Sequence, residues 1–116
     1  MSATAIDYIE LDSEDMAASR SFFAAAFGWR FTDYGPDYVG IEDAKLDGGI
    51  SRAQGERLPP LVILYTRELD AAEAAVRAAG GEITREQYDF PGGRRFHFRE
   101  PGGNELAVWS EQSPAA

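Results

Sequence analysis

Residues 99–109, Arg99-Glu100-Pro101-Gly102-Gly103-Asn104-Glu105-Leu106-Ala107-Val108-Trp109 (REPGGNELAVW), decide how the chain is read. Pro101 and the glycine pair mark a tight turn. The residues after it alternate polar and apolar, the period of a half-buried strand. On that parity Leu106 and Val108 share one face, and Glu105, Ala107 and Trp109 share the other. The segment before the turn, RRFHFRE, divides the same way: Phe96 and Phe98 oppose Arg95, His97 and Arg99.

Working back from this turn, one succession of elements occurs twice. AIDYIEL reads as a strand. DSED follows as a helix start with several cap candidates, and MAASRSFFAAAFG is a helix with Met16, Phe22, Phe23 and Phe27 on one side, ended by Gly28. In the second copy LVILYT is a strand. RELDAAEAAVRAAGG is an Ala-rich helix with Leu69, Ala72 and Val76 inward, stopped by Gly80 and Gly81. Setting Gly28 on Gly81 gives an offset of 53, which also sets Met16 on Leu69 and Tyr8 on Leu61. Three short strands follow each helix: WRFTDY, DYVGIE and GGISRA in the first copy, EITREQ, GRRFHFRE and NELAVWSE in the second. AQGERLPP, with its two prolines, links the copies.

Each copy is therefore a β-α-β-β-β module, the first over about 5–54 and the second over about 60–111 of a single domain, 1–116. A module of about 50 residues cannot bury its helix alone. The expected fold is α+β: two modules forming one curved, roughly eight-stranded mixed sheet with helices on its outer face.

Composition narrows the partners. The 116 residues carry 20 acidic and 11 basic side chains, a formal charge of −9. That disfavours nucleic acid and anionic membrane, and it suits a cationic ligand. Cysteine is absent, so disulfides, Cys-based zinc sites and thiol nucleophiles are excluded. No apolar run reaches the roughly 18 residues of a membrane span. MSATAIDYIE has no basic end followed by an apolar stretch, so a cytoplasmic protein is expected.

Parity leaves Tyr8, Glu10, Arg95, His97, Arg99, Glu105 and Trp109 on the face away from the helices. LVILYT is apolar on both faces, so Leu61, Ile63 and Tyr65 add an apolar wall. Apolar walls with a few polar groups are what a small-molecule cavity needs. Trp29 and Trp109 both follow parity toward the cavity side, with core or dimer packing as the other reading of each. DFPGGRRF and EPGGNE lack the Lys-Ser/Thr and following helix of a phosphate loop and read as turns. Arg85, Arg94, Arg95 and Arg99 form a basic stretch that either grips a ligand carboxylate or phosphate or pairs with the many acids. Phe22-Phe23 reads as helix core.

In the order and spacing of YIELDSEDM, FFAAAFGW, AAGGEI and EPGGNELAVW, the chain resembles the vicinal oxygen chelate superfamily. That group includes glyoxalase I, extradiol dioxygenases and bleomycin-resistance proteins. The resemblance covers about residues 5–111. It implies a divalent metal held by His and Glu at corresponding strand positions, which here fall on Tyr8, Leu61, Ala107 and the stretch Gly49 to Gln54. Leu and Ala cannot ligate, Tyr is a poor ligand, and no His or carboxylate lies between Asp47 and Glu56. The expectation is a family member without the metal or any other cofactor.

The first reading is a protein that binds a small, possibly cationic organic molecule through Tyr8, Glu10, Tyr65, His97, Glu105 and Trp109. A metal-dependent glyoxalase- or dioxygenase-like lyase or oxygenase, with a shifted set of Glu10, His97 and Glu105, is the alternative. A metal-independent isomerase or lyase using His97, the sole histidine, as proton carrier is another. A homodimer is expected in every case, since family members commonly pair across open sheet edges.

Overall fold

Asp15 opens the first helix, as DSED predicts. Its carboxylate accepts the backbone N–H of Ala18 at 3.0 Å, satisfying one of the donors that a helix start leaves over. Gly28 closes the same helix at φ 75°, a left-handed conformation that carries little strain without a β-carbon. The structure is a computed structural model and describes residues 4–111. It contains, in chain order, β1 (Ala5–Ser13), α1 (Met16–Phe27), β2 (Arg30–Asp33), β3 (Tyr38–Glu42) and β4 (Asp47–Arg52). Then follow β5 (Leu61–Tyr65), α2 (Leu69–Ala78), β6 (Glu82–Phe90), β7 (Gly93–Arg99) and β8 (Glu105–Glu111). The α+β class and both β-α-β-β-β successions are those expected. No helix among the described residues is long and apolar enough to cross a membrane.

The described residues form two compact units, one of Tyr8–Leu61 and one of residues 62–111 together with residues 4–7. In the first unit the strands run β2-β3-β4-β1, with β1 parallel to β4 and the other neighbours antiparallel. In the second they run β5-β8-β7-β6, with β5 parallel to β8 and β7 antiparallel to both neighbours. A parallel pair needs a long crossover, and in each unit a helix and two strands supply it.

Strand parity builds each core. In the first unit Ile50 pairs with Leu11 on one side and Val39 on the other. This apolar row lies with Met16, Ile41, Phe23 and Phe31 in one cluster. In the second unit Phe96 pairs with Val108 and packs with Leu69 and Phe98, flanked by Leu64, Ala72, Val76 and Leu106. Phe96 is 0% exposed; burial on that scale contributes about 1.5–3 kcal/mol.

Two aromatic positions depart from expectation, and at a third, Trp29, one of the open readings holds. Phe22 is 59% exposed and Phe27 62% exposed, although both were expected on the inward side of α1. At 100° per residue Phe22 points about 120° away from Met16. Phe27 belongs to the last turn, where its ring lies beside Trp29 at 5.7 Å. Trp29 stacks on Phe23, with ring centres 4.8 Å apart and 15° between planes, within the first core. It precedes the first paired residue of β2, so strand parity does not govern it.

The turn that opened the reading is held by Glu100. Its carboxylate accepts the backbone N–H groups of Gly102 at 2.6 Å and Asn104 at 3.1 Å. Those donors hold the Glu100 carboxyl below the usual carboxylate range. Gly103 takes φ +102°, which a side chain would strain.

Candidate functional site

With the apolar rows turned under the helices, the opposite face of each unit carries the polar and aromatic side chains. In the first unit β1 presents Tyr8 and Glu10, and β3 presents Tyr38. The Tyr38 hydroxyl bonds to the Tyr8 hydroxyl and lies 3.1 Å from Glu10 Oε2, to which it donates. Tyr38 crosses β4 because Gly49 leaves no side chain beneath it. A β-carbon at Gly49 would sit against the Tyr38 hydroxyl and 2.7 Å from that of Tyr8. Burial, then the bond to Tyr8 and the nearby Glu10, push the Tyr38 hydroxyl far above its ordinary pKa, so it stays protonated.

In the second unit the open face is built in register. Arg85 of β6 pairs with His97 of β7, and His97 with Ala107 of β8, which pairs with Ile63 of β5. The next row runs Tyr88, Arg95, Trp109 and Tyr65. Arg85 and Tyr88 are an odd number of residues apart and would oppose each other on a regular strand. Register irregularities between Ile83 and Arg85, and between Arg85 and Tyr88, re-aim them. The result is a stacked pair, the Arg85 guanidinium carbon 3.6 Å from the centre of the Tyr88 ring.

The Tyr88 hydroxyl sits between two partners. Arg95 Nε, which can only donate, bonds to it. The hydroxyl proton is then left for His97 Nε2, 2.8 Å away. His97 therefore carries its own proton on Nδ1, which faces Glu105 Oε2 at 3.7 Å. Thr84 Oγ1 donates to the same Glu105 oxygen at 2.8 Å. Burial first, then the charge of Arg95, pushes His97 down to about 4, and Glu105 opposes this only in part. The imidazole is neutral at physiological pH.

Beside this cluster runs an aromatic strip. The Trp109 ring meets Tyr65 edge to face at 5.0 Å and Phe90 at 6.1 Å. Trp109 Nε1 donates to the Asp7 carboxylate at 3.2 Å. The Tyr65 hydroxyl donates to Glu111 at 2.5 Å.

The side chains expected to form one site thus fall into two groups. Tyr8 and Glu10 meet through Tyr38 in the first unit. Tyr65, His97, Glu105 and Trp109 share the open face of the second. Tyr38, Tyr88 and Arg85's stacking were not singled out from the sequence. A tyrosine above a pair of glycines (Gly48-Gly49) was a signal for Tyr38; nothing in the sequence marks the β6 irregularities that bring Tyr88 into place. Of the basic stretch, Arg94 pairs with Asp89 and Arg99 with Glu82. The grooves of the first unit lie elsewhere. One, of about 360 Å³, is lined by Asp12, Asp37, Ser51, Arg52, Glu56 and Leu58.

The residues at the implied metal positions do not fit a divalent ion. Tyr8 is engaged with Tyr38, Leu61 and Ala107 hold no donor atom, and the phenols fill the space over Gly49. Within residues 49–54, the Ser51 hydroxyl is directed at Asp12 at 3.3 Å. Among the described residues no three His, Asp or Glu side chains are grouped to hold a metal.

A sequence profile described as the Glyoxalase/Bleomycin resistance protein/Dioxygenase superfamily matches residues 5–108. The chain is 30% identical to the anthracycline biosynthesis protein DnrV of Streptomyces peucetius, over 88% of this chain and 45% of that protein. It thus spans under half the length of that relative. A Mn(II)-bound glyoxalase from Novosphingobium aromaticivorans superimposes with a TM-score of 0.70 at 22% identity, over 100% of this chain and 44% of that one. Methylmalonyl-CoA epimerase from Mycobacterium tuberculosis does so with a TM-score of 0.74 at 11% identity, over 95% and 89%. Likeness at these identities is likeness of fold.

Proposed function

Because this chain belongs to the Glyoxalase/Bleomycin resistance protein/Dioxygenase superfamily, we propose that it binds a flat, polycyclic aromatic small molecule on the open face of the second module, without the family's metal. One observation carries this reading. At the position of the last metal ligand stands Ala107, 0% exposed and flanked in register by Ile63 and His97. Next to it lies the Tyr65–Trp109–Phe90 strip. Ala107 is sealed from solvent and holds no donor atom where an enzyme of the family would offer a carboxylate, and the half-buried strip beside it offers stacking. The relation to a protein named for anthracycline biosynthesis supports a flat aromatic skeleton as the ligand class.

The test is tryptophan fluorescence during titration with a neutral anthraquinone, in the unchanged protein and in Trp109→Phe. The reading expects saturable quenching that Trp109→Phe removes. Quenching of equal size in both proteins, or none in either, overturns it.

A second reading has one observation of its own: the chain from Glu105 through a neutral His97 to the Tyr88 hydroxyl can accept and return a proton. Metal-independent proton transfer then follows. Exchange of an acidic ligand C–H with solvent deuterium, lost in His97→Phe, is the outcome it requires.

A further inference from the structure

We infer that Arg85 and Arg95, beside His97, form an oxyanion subsite that takes a carboxylate or phenolate carried by the ligand. This deepens the reading above and rests on it for the aromatic part of the ligand. The first ground is placement. Two register irregularities in β6 turn both Arg85 and Tyr88 onto the open face, where they meet Arg95 and His97. Irregularities of this kind re-aim side chains, and they concentrate at sites that use them.

The second ground is an uncompensated charge. The chain holds 20 acidic side chains, and Arg20, Arg30, Arg52, Arg77, Arg94 and Arg99 all pair with one. Arg85, like Arg57 and Arg67, forms no ion pair among the described residues, and of the three it alone lies on the open face of the second unit's sheet. Among the described residues its close partner is the face of the Tyr88 ring. Stacking occupies the flat side of a guanidinium and leaves the in-plane N–H edges, the edges that take an oxyanion two-pronged.

Preorganisation is the third. The Arg95 guanidinium carbon lies 5.5 Å from the Tyr88 ring centre and 5.4 Å from that of Phe90, with Nε tied to the Tyr88 hydroxyl. A guanidinium already held loses little freedom on binding. The pKa of His97 is depressed first by burial, to which the charges of Arg95 and, to a smaller extent, Arg85 add. Glu105 faces His97, and Thr84 donates to the same carboxylate oxygen.

The net charge of −9 does not decide the matter. Surface charges farther than a Debye length, about 8–10 Å, are largely screened. An anion beside Arg85 feels that guanidinium first. Geometry also sets the ligand's shape. Trp109 and Arg95 are paired neighbours and strands lie about 4.8 Å apart. A ring stacked on Trp109 therefore places a substituent one strand over, at Arg95, with Arg85 one strand further on β6.

The experiment is a nitrogen-15 NMR titration following the Arg85 Nε and the His97 ring. The probes are benzoate, its neutral counterpart benzamide, and inorganic phosphate, each with unchanged protein, Arg85→Met and Arg85→Lys. Arg85 is exposed, so both variants should fold, and a thermal melt checks it. The inference expects saturable benzoate shifts at both groups, none with benzamide, at least ten-fold weaker binding in Arg85→Met and partial retention in Arg85→Lys. Benzoate binding unchanged in Arg85→Met, or no saturable shift, overturns it. Phosphate binding as tightly as benzoate overturns the carboxylate or phenolate assignment. Benzoate binding without anthraquinone binding sinks the flat-ligand reading alone. Anthraquinone binding without benzoate binding sinks the subsite alone.

Discussion

The Tyr38 hydroxyl occupies the space that a β-carbon on Gly49 would need. The tyrosine and the glycine sit on neighbouring strands, and the phenol lies over the backbone of the other. It meets Tyr8 and Glu10 there, at the place where the superfamily's metal would draw a ligand from the first module.

Gly49→Ala is therefore expected to destabilise the protein by about 1–3 kcal/mol, the usual range for overpacking. Residue 49 does not take a positive φ, so crowding alone is at issue. In a Tyr38→Ala background the same substitution should cost markedly less. Urea denaturation of the four proteins of this cycle measures the coupling, and additive costs would contradict the contact.

Metal content is the second expectation. After incubation with Mn²⁺, Fe²⁺, Ni²⁺ or Zn²⁺ and dialysis, mass spectrometry should find far less than one ion per chain. Retention near one per chain would overturn the assignment of Tyr8, Leu61 and Ala107 to the lost ligand positions.

His97 should titrate by NMR with a midpoint at about 4, below its ordinary 6.5. The groups facing it are Arg85, Arg95, Glu105 and Tyr88. Removing a positive neighbour in Arg85→Met should raise the midpoint. Between pH 4 and 6.5 the unfolded chain binds a proton that the folded chain does not. Stability should thus rise with pH across that window, by at most about 1.4 kcal/mol per unit from this residue. His97→Phe should lose that part of the slope. Identical slopes in the two proteins would contradict the burial of a neutral imidazole.

Two phenylalanines that look alike in sequence should respond in opposite ways. Phe96→Ala removes a side chain that is 0% exposed and should cost about 3–5 kcal/mol. Phe22→Ser alters one that is 59% exposed and should stay within about 0.5 kcal/mol. Paired thermal melts compare them directly.

Much of this molecule was determined by local sequence. Asp15 and Gly28 bound the first helix because capping is local chemistry. The offset of 53 between modules and the alternation in RRFHFRE and NELAVW place Phe96, Phe98, Leu106 and Val108 inward, since period-two patterning and burial are one constraint. The missing donors at Leu61 and Ala107 are properties of residue identity alone. Tertiary structure decided the rest. Whether Phe22 is core depends on which arc of α1 meets the sheet. Whether Tyr38 reaches Tyr8 depends on what β4 leaves open between them. Whether Arg85 and Tyr88 share a face depends on β6 gaining residues against β7. A register irregularity is set by pairing between strands, and alternation within one strand carries no trace of it. That is why the stacked Arg85–Tyr88 pair, the centre of the candidate subsite, could be seen only in the folded chain.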